Sequence, residues 1–277
     1  MDLASEIERN VSAALAEDVG SGDLTAQLTS AESTARATVI SRRDTVLCGR
    51  AWFEACYRRL DPRVSLDWQA AEGTKIGAGT VVCTLRGPAR ALLTGERTAL
   101  NFLQTLSAVA AATRRYVDAV AGTRAAIVDT RKTLPGLRIA QKYAVRTGGG
   151  VNHRLGLYDG ILIKENHIAA AGGVSAALAA ARKVAPPGIW IQVEVENLDQ
   201  LREALAAGAR MILLDNMDPD TLRAAVEITG GRAELEASGG ITLENVRAVA
   251  ATGVDRISIG SLTKDISAAD LSMRFET

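Results

Sequence analysis

Four basic side chains between residues 131 and 164 are predicted to come together in one region, where they could bind a ligand with several negative charges. They are Arg131, Lys132, Arg154 and Lys164. An arginine can bind a carboxylate through two parallel hydrogen bonds, whereas a lysine acts as a compact point charge. Pairing with Glu165, Glu194 or Asp215 would neutralise part of this charge. The remaining surplus favours a small, multiply anionic substrate.

Glu194 and Asp215 end two successive apolar segments, and an ionised carboxylate only accepts hydrogen bonds. Such oxygens suit Mg²⁺, which proteins commonly bind through one or two carboxylates together with substrate phosphates. The same carboxylates could instead stabilise a positive charge that develops during a reaction. The residue types do not separate the two roles, and both can hold together.

Glycines follow the last two apolar segments, in Ser238-Gly239-Gly240 and in Gly260-Ser261. Glycine lets backbone N–H groups approach an anion closely, and the N-terminus of a following helix favours negative charge. Alone, these glycines would be ordinary turn residues. Phosphate sites of β/α barrels favour this late position in the chain, so we predict a phosphate site here.

His153 precedes Arg154 in a loop that begins with three glycines, Gly148-Gly149-Gly150. A histidine in a loop more often lies at the surface than in a site. The glycines indicate an ordered loop, so we expect His153 to lie near the ligand.

From residue 124 onward, short apolar strands alternate with alanine-rich helices, which indicates βαβ units and a parallel sheet. Strands are predicted at Ala125–Thr130, Gly160–Lys164, Ile189–Val195, Met211–Asp215, Ala233–Ser238 and Arg256–Gly260. Helices are predicted around Leu137–Arg146, Val174–Val184, Leu198–Ala206, Pro219–Ile228 and Leu243–Ala251. A doubly wound sheet would show the same alternation. Polar or glycine-rich residues end every predicted strand, which favours a β/α barrel whose strand ends converge on one site.

Before residue 110, strands and helices are mixed. Strands are predicted at Thr34–Ser41, Thr45–Cys48, Val64–Gln69 and Val81–Leu85, and a helix from Leu93 with Thr94 as its N-cap. The turn-rich stretch Glu72–Val81 is similar to part of a lipoyl or biotinyl carrier domain. Lys75 lacks the flanking residues of a modified lysine, so we interpret this similarity as architectural.

Composition excludes several classes of protein. Lys+Arg and Asp+Glu both total 32, so the chain lacks the basic surplus typical of nucleic-acid binding. Cys48, Cys56 and Cys83 show no metal-ligand spacing and are expected to be free thiols. The charged N-terminus lacks the apolar core of a signal peptide, and no apolar run could span a bilayer. We therefore expect a cytoplasmic enzyme with no membrane partner.

Four motifs occur in order along essentially the whole chain. They are Thr94-Gly95-Glu96-Arg97-Thr98-Ala99-Leu100-Asn101-Phe102, Asp129-Thr130-Arg131-Lys132-Thr133, Asn152-His153-Arg154 and Ile163-Lys164-Glu165-Asn166-His167. Together they resemble quinolinate phosphoribosyltransferase. The resemblance implies a transfer of phosphoribosyl from phosphoribosyl pyrophosphate to quinolinate in NAD biosynthesis. Its products are nicotinate mononucleotide, pyrophosphate and CO₂, and the reaction needs Mg²⁺.

The resemblance also implies roles for individual residues. Arg131, His153, Arg154 and Lys164 would bind the quinolinate carboxylates, and Arg97 would reach the same pocket from the partner subunit of a homodimer. Lys132, Glu194 and Asp215 would be catalytic and face the ribose and pyrophosphate, with Glu194 and Asp215 as Mg²⁺ ligands. The remaining implied substrate contacts are Thr130, Ser238, Gly239, Gly240, Ile259, Gly260 and Ser261, most of them around the 5′-phosphate.

The implied fold is α/β: an incomplete parallel β/α barrel of seven strands with an N-terminal α/β sandwich domain. We place the sandwich domain at residues 1–110 and the barrel at 111–264, and expect residues 265–277 to pack on the sandwich. The sequence shows six clear barrel strands, so the seventh is expected to be irregular. Two alternatives stay open: a related transferase acting on another aromatic acid such as nicotinate, and a carrier module built on the N-terminal segment.

Overall fold

The computed structural model describes residues 2–276, and their contacts divide the chain into two compact units. The first unit comprises Met1–Arg114, Thr133–Gly149 and Thr263–Thr277, and the second comprises Arg115–Lys132 and Gly150–Leu262. Within the described residues, no helix combines the length and the apolar character that a bilayer crossing requires.

The regular elements of residues 2–276 are as follows. The helices are α1 (Leu3–Val19), α2 (Arg50–Leu60), α3 (Ala89–Ala119), α4 (Arg138–Thr147), α5 (Glu165–Ala171), α6 (Val174–Val184), α7 (Leu198–Ala206), α8 (Pro219–Thr229), α9 (Val246–Ala250) and α10 (Ser261–Lys264). The strands are β1 (Thr34–Ser41), β2 (Thr45–Val46), β3 (Ser65–Trp68), β4 (Lys75–Ile76), β5 (Val81–Pro88), β6 (Ala126–Val128), β7 (Ile161–Ile163), β8 (Ile191–Val195), β9 (Met211–Asp215), β10 (Glu234–Ser238), β11 (Arg256–Ser258) and β12 (Leu271–Phe275).

The first unit is built on an antiparallel sheet in the order β12-β1-β5-β3. The last strand of the chain pairs with β1, with Met273 opposite Val39. Helix α2 buries Trp52, Phe53 and Tyr57 in the core of this unit. Strands β2 and β4 form a separate short pair that places Lys75 opposite Val46, so Lys75 lies within a strand and not at a hairpin tip.

Two helices of this unit escaped sequence analysis, and a third begins earlier than predicted. Helix α1 begins at a cap, where Asp2 accepts a hydrogen bond from the Ser5 backbone at 3.2 Å. Helix α3 begins at Ala89, so Thr94 lies inside the helix and its hydroxyl donates to Asp23 instead of capping. The Thr94 cap was wrong because β5 ends at Pro88 and the helix begins at the next residue, five positions before Thr94.

Helix α4 belongs to the first unit, which differs from the predicted continuous barrel domain 111–264. Its Ala140, Ala144 and Val145 are buried in the core of the first unit. The backbone oxygen of Gly136, in the loop before α4, accepts hydrogen bonds from Arg9 and Asn10 of α1. Apolar contacts therefore place α4 in the first unit, although the helix lies between two barrel strands in the sequence.

The second unit is an incomplete parallel β/α barrel, and its strands have the order β6-β11-β10-β9-β8-β7 among the described residues. Each strand lies where the apolar runs predicted one. Buried runs such as Ile212-Leu213-Leu214 in β9 are typical of parallel strands covered on both faces. The connecting helices α6, α7 and α8 also match their predicted positions.

The irregular seventh strand is reduced to a single residue. Val151 forms an isolated parallel bridge with Val128 of β6, with hydrogen bonds to Ile127 and Asp129 on either side. Among the described strands, β7 pairs with β8 and lies at the opposite edge of the sheet. We call the unpaired gap between Val151 and β7 the seam. Residues 152–160 connect its two sides.

The three cysteines are buried free thiols, as predicted. Burial raises the pKa of both Cys56 and Cys83 to about 12. These thiols are therefore uncharged packing groups in the core of the first unit.

The close approach of α3 and the end of α4 generates a stability prediction. A Cβ on Gly148 would lie 2.5 Å from the Ala110 oxygen and 2.7 Å from the Thr113 Cβ. Gly148→Ala should lower the free energy of unfolding by about 1–3 kcal/mol, because the two helices must separate. Chemical denaturation measures this. Gly77→Ala is the control, since its Cβ would meet Asp44 at an ordinary 3.7 Å. Equal stabilities of the two variants would contradict the tight packing.

Candidate active site

The ends of the barrel strands bring most of the predicted site residues into the second unit. The exception is Arg97, which is exposed on α3 in the first unit. Asp129, directly after β6, is fully buried and accepts hydrogen bonds from the His153 backbone at 2.8 Å and from the Asn152 amide at 2.6 Å. This carboxylate therefore holds the residues that follow Val151 against the end of β6.

Two guanidinium groups lie close together beside the seam. Arg154 donates from Nη1 to the Gly160 oxygen at 2.9 Å, which ties it to the start of β7. Burial lowers the pKa of Arg154, and the positive charge of Arg131 lowers it further. A partly buried cation near a second cation is suited to bind an anionic ligand, because a carboxylate would relieve the repulsion.

Lys164 and Glu194 form an ion pair between the ends of β7 and β8, with Nζ 3.1 Å from Oε2. Burial raises the pKa of Glu194, and the charges of Asp215 and Glu165 raise it as well, while Lys164 opposes this effect. Glu194 is 8% exposed, whereas the Lys164 side chain is 47% exposed. The carboxylate is therefore held in place at the site, and the lysine can exchange partners.

Asp215 is fixed by its neighbour Asn216, whose amide donates to Asp215 Oδ2 at 2.8 Å. Asn216 adopts a left-handed backbone (φ 53°), a conformation that asparagine tolerates better than most residues. Its backbone N–H donates to the Ser238 oxygen. A Cβ on Gly239 would lie 2.1 Å from Asn216 Oδ1, so only glycine fits there. The sequence pattern alone indicates no role for Asn216.

The predicted phosphate residues lie at the ends of β10 and β11. Gly239 and Gly240 both have positive φ, a backbone conformation that glycine adopts readily because it has no side chain. The expected helix N-terminus after them is not there, because α9 begins only at Val246. A Cβ on Gly260 would lie 3.0 Å from the Lys132 side chain, so this lysine lies beside the Gly260–Ser261 backbone. Thr130 is also near, and its hydroxyl accepts from the Lys132 N–H.

His153 lies at the site with both ring nitrogens engaged by the protein. Nδ1 accepts from the Arg154 backbone N–H at 2.8 Å, and Nε2 lies 2.9 Å from Oε1 of Gln192. The side chain is 8% exposed. Both ring nitrogens of His153 thus face protein groups in this structure, and the direct carboxylate contact expected from the resemblance stays a prediction.

Glu194 and Asp215 are the residues that fit a metal ion. Within residues 2–276, no cluster of three or more histidine, cysteine or carboxylate side chains is placed to enclose one. A pair of carboxylates whose charges influence each other suits Mg²⁺, which takes its other ligands from substrate phosphates and water.

Comparisons with known proteins identify the family. The family model for the N-terminal domain of quinolinate phosphoribosyl transferase matches residues 23–107, and the model for its C-terminal domain matches residues 109–274. The chain belongs to the quinolinate phosphoribosyltransferase family. It is an enzyme of that type.

Relatives and solved structures of this family cover nearly the whole chain. The chain is 46% identical to a probable nicotinate-nucleotide pyrophosphorylase (carboxylating) from Bacillus subtilis, over 93% of this chain and 89% of that protein. It is 43% identical to the Mycobacterium leprae enzyme of the same name, over 94% of each chain. The nicotinate-nucleotide pyrophosphorylase structure from Francisella tularensis superposes with a TM-score of 0.95 at 43% identity, covering 98% and 96% of the two chains.

The raised pKa of Glu194 generates a prediction for this phosphoribosyltransferase. Because the folded-state pKa lies above that of the unfolded chain, ionisation of Glu194 removes stability as pH rises through the folded pKa. Glu194→Gln should therefore melt at or above the wild-type temperature at neutral pH. The difference should vanish below the ordinary glutamate pKa, where both states are protonated.

Thermal melts across this pH range measure the effect. Glu196→Gln is the matched control, because Glu196 is exposed and lies on the same stretch of chain. A Glu194→Gln variant that is less stable than wild type at neutral pH would contradict the conclusion that burial disfavours the ionised form of Glu194.

Proposed function

We propose that this chain transfers phosphoribosyl from phosphoribosyl pyrophosphate to quinolinate and releases pyrophosphate and CO₂, which yields nicotinate mononucleotide for NAD biosynthesis. The single observation that carries this proposal is the partly buried guanidinium of Arg154 within reach of the positive charge of Arg131, in a barrel of this family. Quinolinate is a dicarboxylate, and it supplies the negative charge that such a pair favours.

Arg131, Arg154 and Lys164 bind the two quinolinate carboxylates in this proposal. The fixed guanidinium of Arg154 defines one carboxylate position, since Nη1 is already tied to Gly160. The exposed end of Lys164 can leave Glu194 and turn to the substrate. Holding the ring in this way aligns its nitrogen with the ribose, and alignment of two reactants supplies a large part of the acceleration.

The ring nitrogen is the nucleophile, so the reaction needs no serine or cysteine. Departure of pyrophosphate leaves positive charge on the ribosyl carbon, and Glu194 and Asp215 stabilise it electrostatically. Lys132 neutralises charge on the leaving pyrophosphate. N-ribosylation makes the pyridine ring cationic, so it can stabilise the electron pair that stays on the ring carbon when CO₂ leaves. That carbon then takes up a proton from water, so decarboxylation follows the transfer.

Glu194 and Asp215 also hold Mg²⁺ in this proposal. The ion supplies neutralisation of the pyrophosphate charge when bound. Its affinity depends on both carboxylates being ionised, and Lys164 favours the ionised form of Glu194.

The 5′-phosphate binds to the backbone around Ser238-Gly239-Gly240 and Ile259-Gly260-Ser261. Positive φ at Gly239 and Gly240, together with Lys132 beside Gly260, supports this position. Neither segment carries a bulky side chain at its glycines, so an anion can approach the backbone N–H groups.

We also propose that the enzyme is a cytoplasmic homodimer in which Arg97 of the partner subunit completes the quinolinate pocket. The apolar side chains of Leu157 and Tyr158 are 73% and 74% exposed just after Arg154, which supports a covering surface from a second copy. Free, buried cysteines support a reducing compartment.

The function is tested by an assay for quinolinate-dependent, Mg²⁺-dependent formation of pyrophosphate and CO₂. Arg131→Ala and Lys164→Ala should each weaken quinolinate use roughly ten- to a hundredfold, because a charge-assisted hydrogen bond contributes about 1.5–3 kcal/mol. Lys183→Ala, an exposed lysine of α6, is the control. Wild-type kinetics in both site variants would contradict the assignment of Arg131 and Lys164 to the quinolinate pocket.

The same assay separates the alternatives. Turnover of nicotinate without CO₂ release would favour the related transferase. An intact mass that shows an adduct on Lys75, without pyrophosphate formation, would favour the carrier module.

The shared pocket is tested with variants of low activity, assayed at a quinolinate concentration where each alone shows little turnover. Mixing Arg97→Ala with Lys164→Ala under conditions of subunit exchange should restore roughly a quarter of the wild-type activity, because each hybrid dimer regains one intact site. Mixing Arg131→Ala with Lys164→Ala is the control and should restore none, since both changes affect the same barrel. Equal recovery in both mixtures, or in neither, would argue against donation of Arg97.

A further inference from the structure

A row of buried polar side chains crosses the barrel interior beneath the site. His153 Nε2 lies 2.9 Å from Gln192 Oε1, and Gln192 Nε2 donates to Glu236 Oε2 at 3.1 Å. The Arg256 guanidinium lies 3.5 Å from the same Glu236 oxygen and pairs with Glu234 as well. Gln192 and Glu236 are each 1% exposed. We call His153, Gln192, Glu236 and Arg256 the polar row.

The polar row occupies a layer where barrels normally place branched apolar residues. Side chains alternate along a strand, so Gln192 shares the face of Glu194 and lies one step deeper in β8. Glu236 bears the same relation to Ser238 in β10. The Glu236 Oε1 atom is buried and makes no hydrogen bond within the described residues. Burial of such groups disfavours folding, so packing alone does not explain them.

The hydrogen bonds of the polar row have a fixed direction. The Glu236 carboxylate, paired with Arg256, accepts hydrogen bonds, so the Gln192 amide must turn its NH₂ group towards it. The Gln192 oxygen then faces His153 and requires a proton on Nε2. Nδ1 is left as an acceptor, and it receives the Arg154 backbone N–H at 2.8 Å.

The consequence of this direction is a fixed position for Arg154. Trp190 packs edge-on against the imidazole at 5.0 Å, so the ring is restrained from the side as well as at both nitrogens. The backbone of Arg154 is thereby held by His153, while its guanidinium is held by the Gly160 oxygen. Loss of the Nε2–H tautomer would remove the acceptor for the Arg154 N–H.

We propose that Gln192 and Glu236 are positioning residues that hold Arg154 in the anion-binding pocket by imposing the Nε2–H tautomer on His153. The proposal builds on the proposed function, because Arg154 is the residue whose placement quinolinate would sense. Gln192 and Glu236 touch no substrate and act only through His153.

The tautomer is measured directly by ¹⁵N NMR of the histidine rings in the full-length protein. The chain has two histidines, His153 and His167, so the second serves as an internal reference. Wild type should show the proton of His153 on Nε2. Gln192→Met removes both hydrogen bonds of the amide at similar volume, and the His153 signals should shift to a mixture of tautomers.

Steady-state kinetics give the second readout. Gln192→Met and Glu236→Gln should each raise the KM for quinolinate roughly ten- to a hundredfold, with the KM for phosphoribosyl pyrophosphate unchanged. Glu234→Gln is the matched control: it is the same chemical change on the same strand, at a residue that contacts Arg256 but not Gln192. It should leave the tautomer and both KM values unchanged.

A double variant separates positioning from general damage. Gln192→Glu combined with Glu236→Gln places the carboxylate next to His153 and the amide next to Arg256, so every donor again meets an acceptor. This double variant should regain the Nε2–H tautomer and most of the quinolinate affinity that Glu236→Gln loses. All these changes except Gln192→Met are isosteric, which keeps the test valid if the methionine variant fails to fold.

Two results would overturn the proposal. One is an unchanged His153 tautomer and quinolinate KM in Glu236→Gln, and the other is a double variant no better than Glu236→Gln alone. The NMR measurement needs no turnover. An enzyme that is inactive with quinolinate would therefore refute the proposed function, and the tautomer of His153 would still test whether the polar row positions it.

Discussion

The burial of charged side chains at the strand ends is the constraint on which the site in the second unit depends. Burial and the neighbouring charge both lower the pKa of Arg154, and burial, with the charges of Asp215 and Glu165, raises that of Glu194. The charged forms of Arg154 and Glu194 are thus both disfavoured, although both side chains lie at the strand ends where the predicted ligands would bind. The barrel must restrain these side chains, because they would otherwise separate into solvent.

The restraint comes largely from the backbone and from buried acceptors. Asp129 binds the His153 N–H, the Gly160 oxygen binds Arg154, and Asn216 fixes Asp215 from a left-handed conformation. The seam explains why Arg154 needs such anchors. Val151 contributes only one bridge to the sheet, so the residues after it have no strand ladder to position them. Side-chain acceptors replace the ladder there.

Most of the barrel and its strand-end residues could be predicted from the sequence because the physical signals are local. Buried parallel strands are continuous apolar runs, and their carboxyl ends meet at one edge, so Lys164, Glu194 and Asp215 could be grouped without coordinates. The placement of α4 in the first unit could not be predicted from the sequence, because the residues that Ala140 and Ala144 pack against are distant in sequence. Helix α1 escaped detection because few of its residues are buried.

The polar row shows a different limit. The sequence does not indicate that the side chains of Gln192 and Glu236 are buried in their strands, because polar residues are usually exposed. The strand order β8-β9-β10 brings the two side chains together near His153. In that arrangement the ion pair between Glu236 and Arg256 affects the hydrogen bonds that reach the site. A hydrogen-bond direction is a property of the whole row, since each group is constrained by the next. The strand ends thus supply the charges of the site, whereas the layer below them determines the direction in which one of those charges is held.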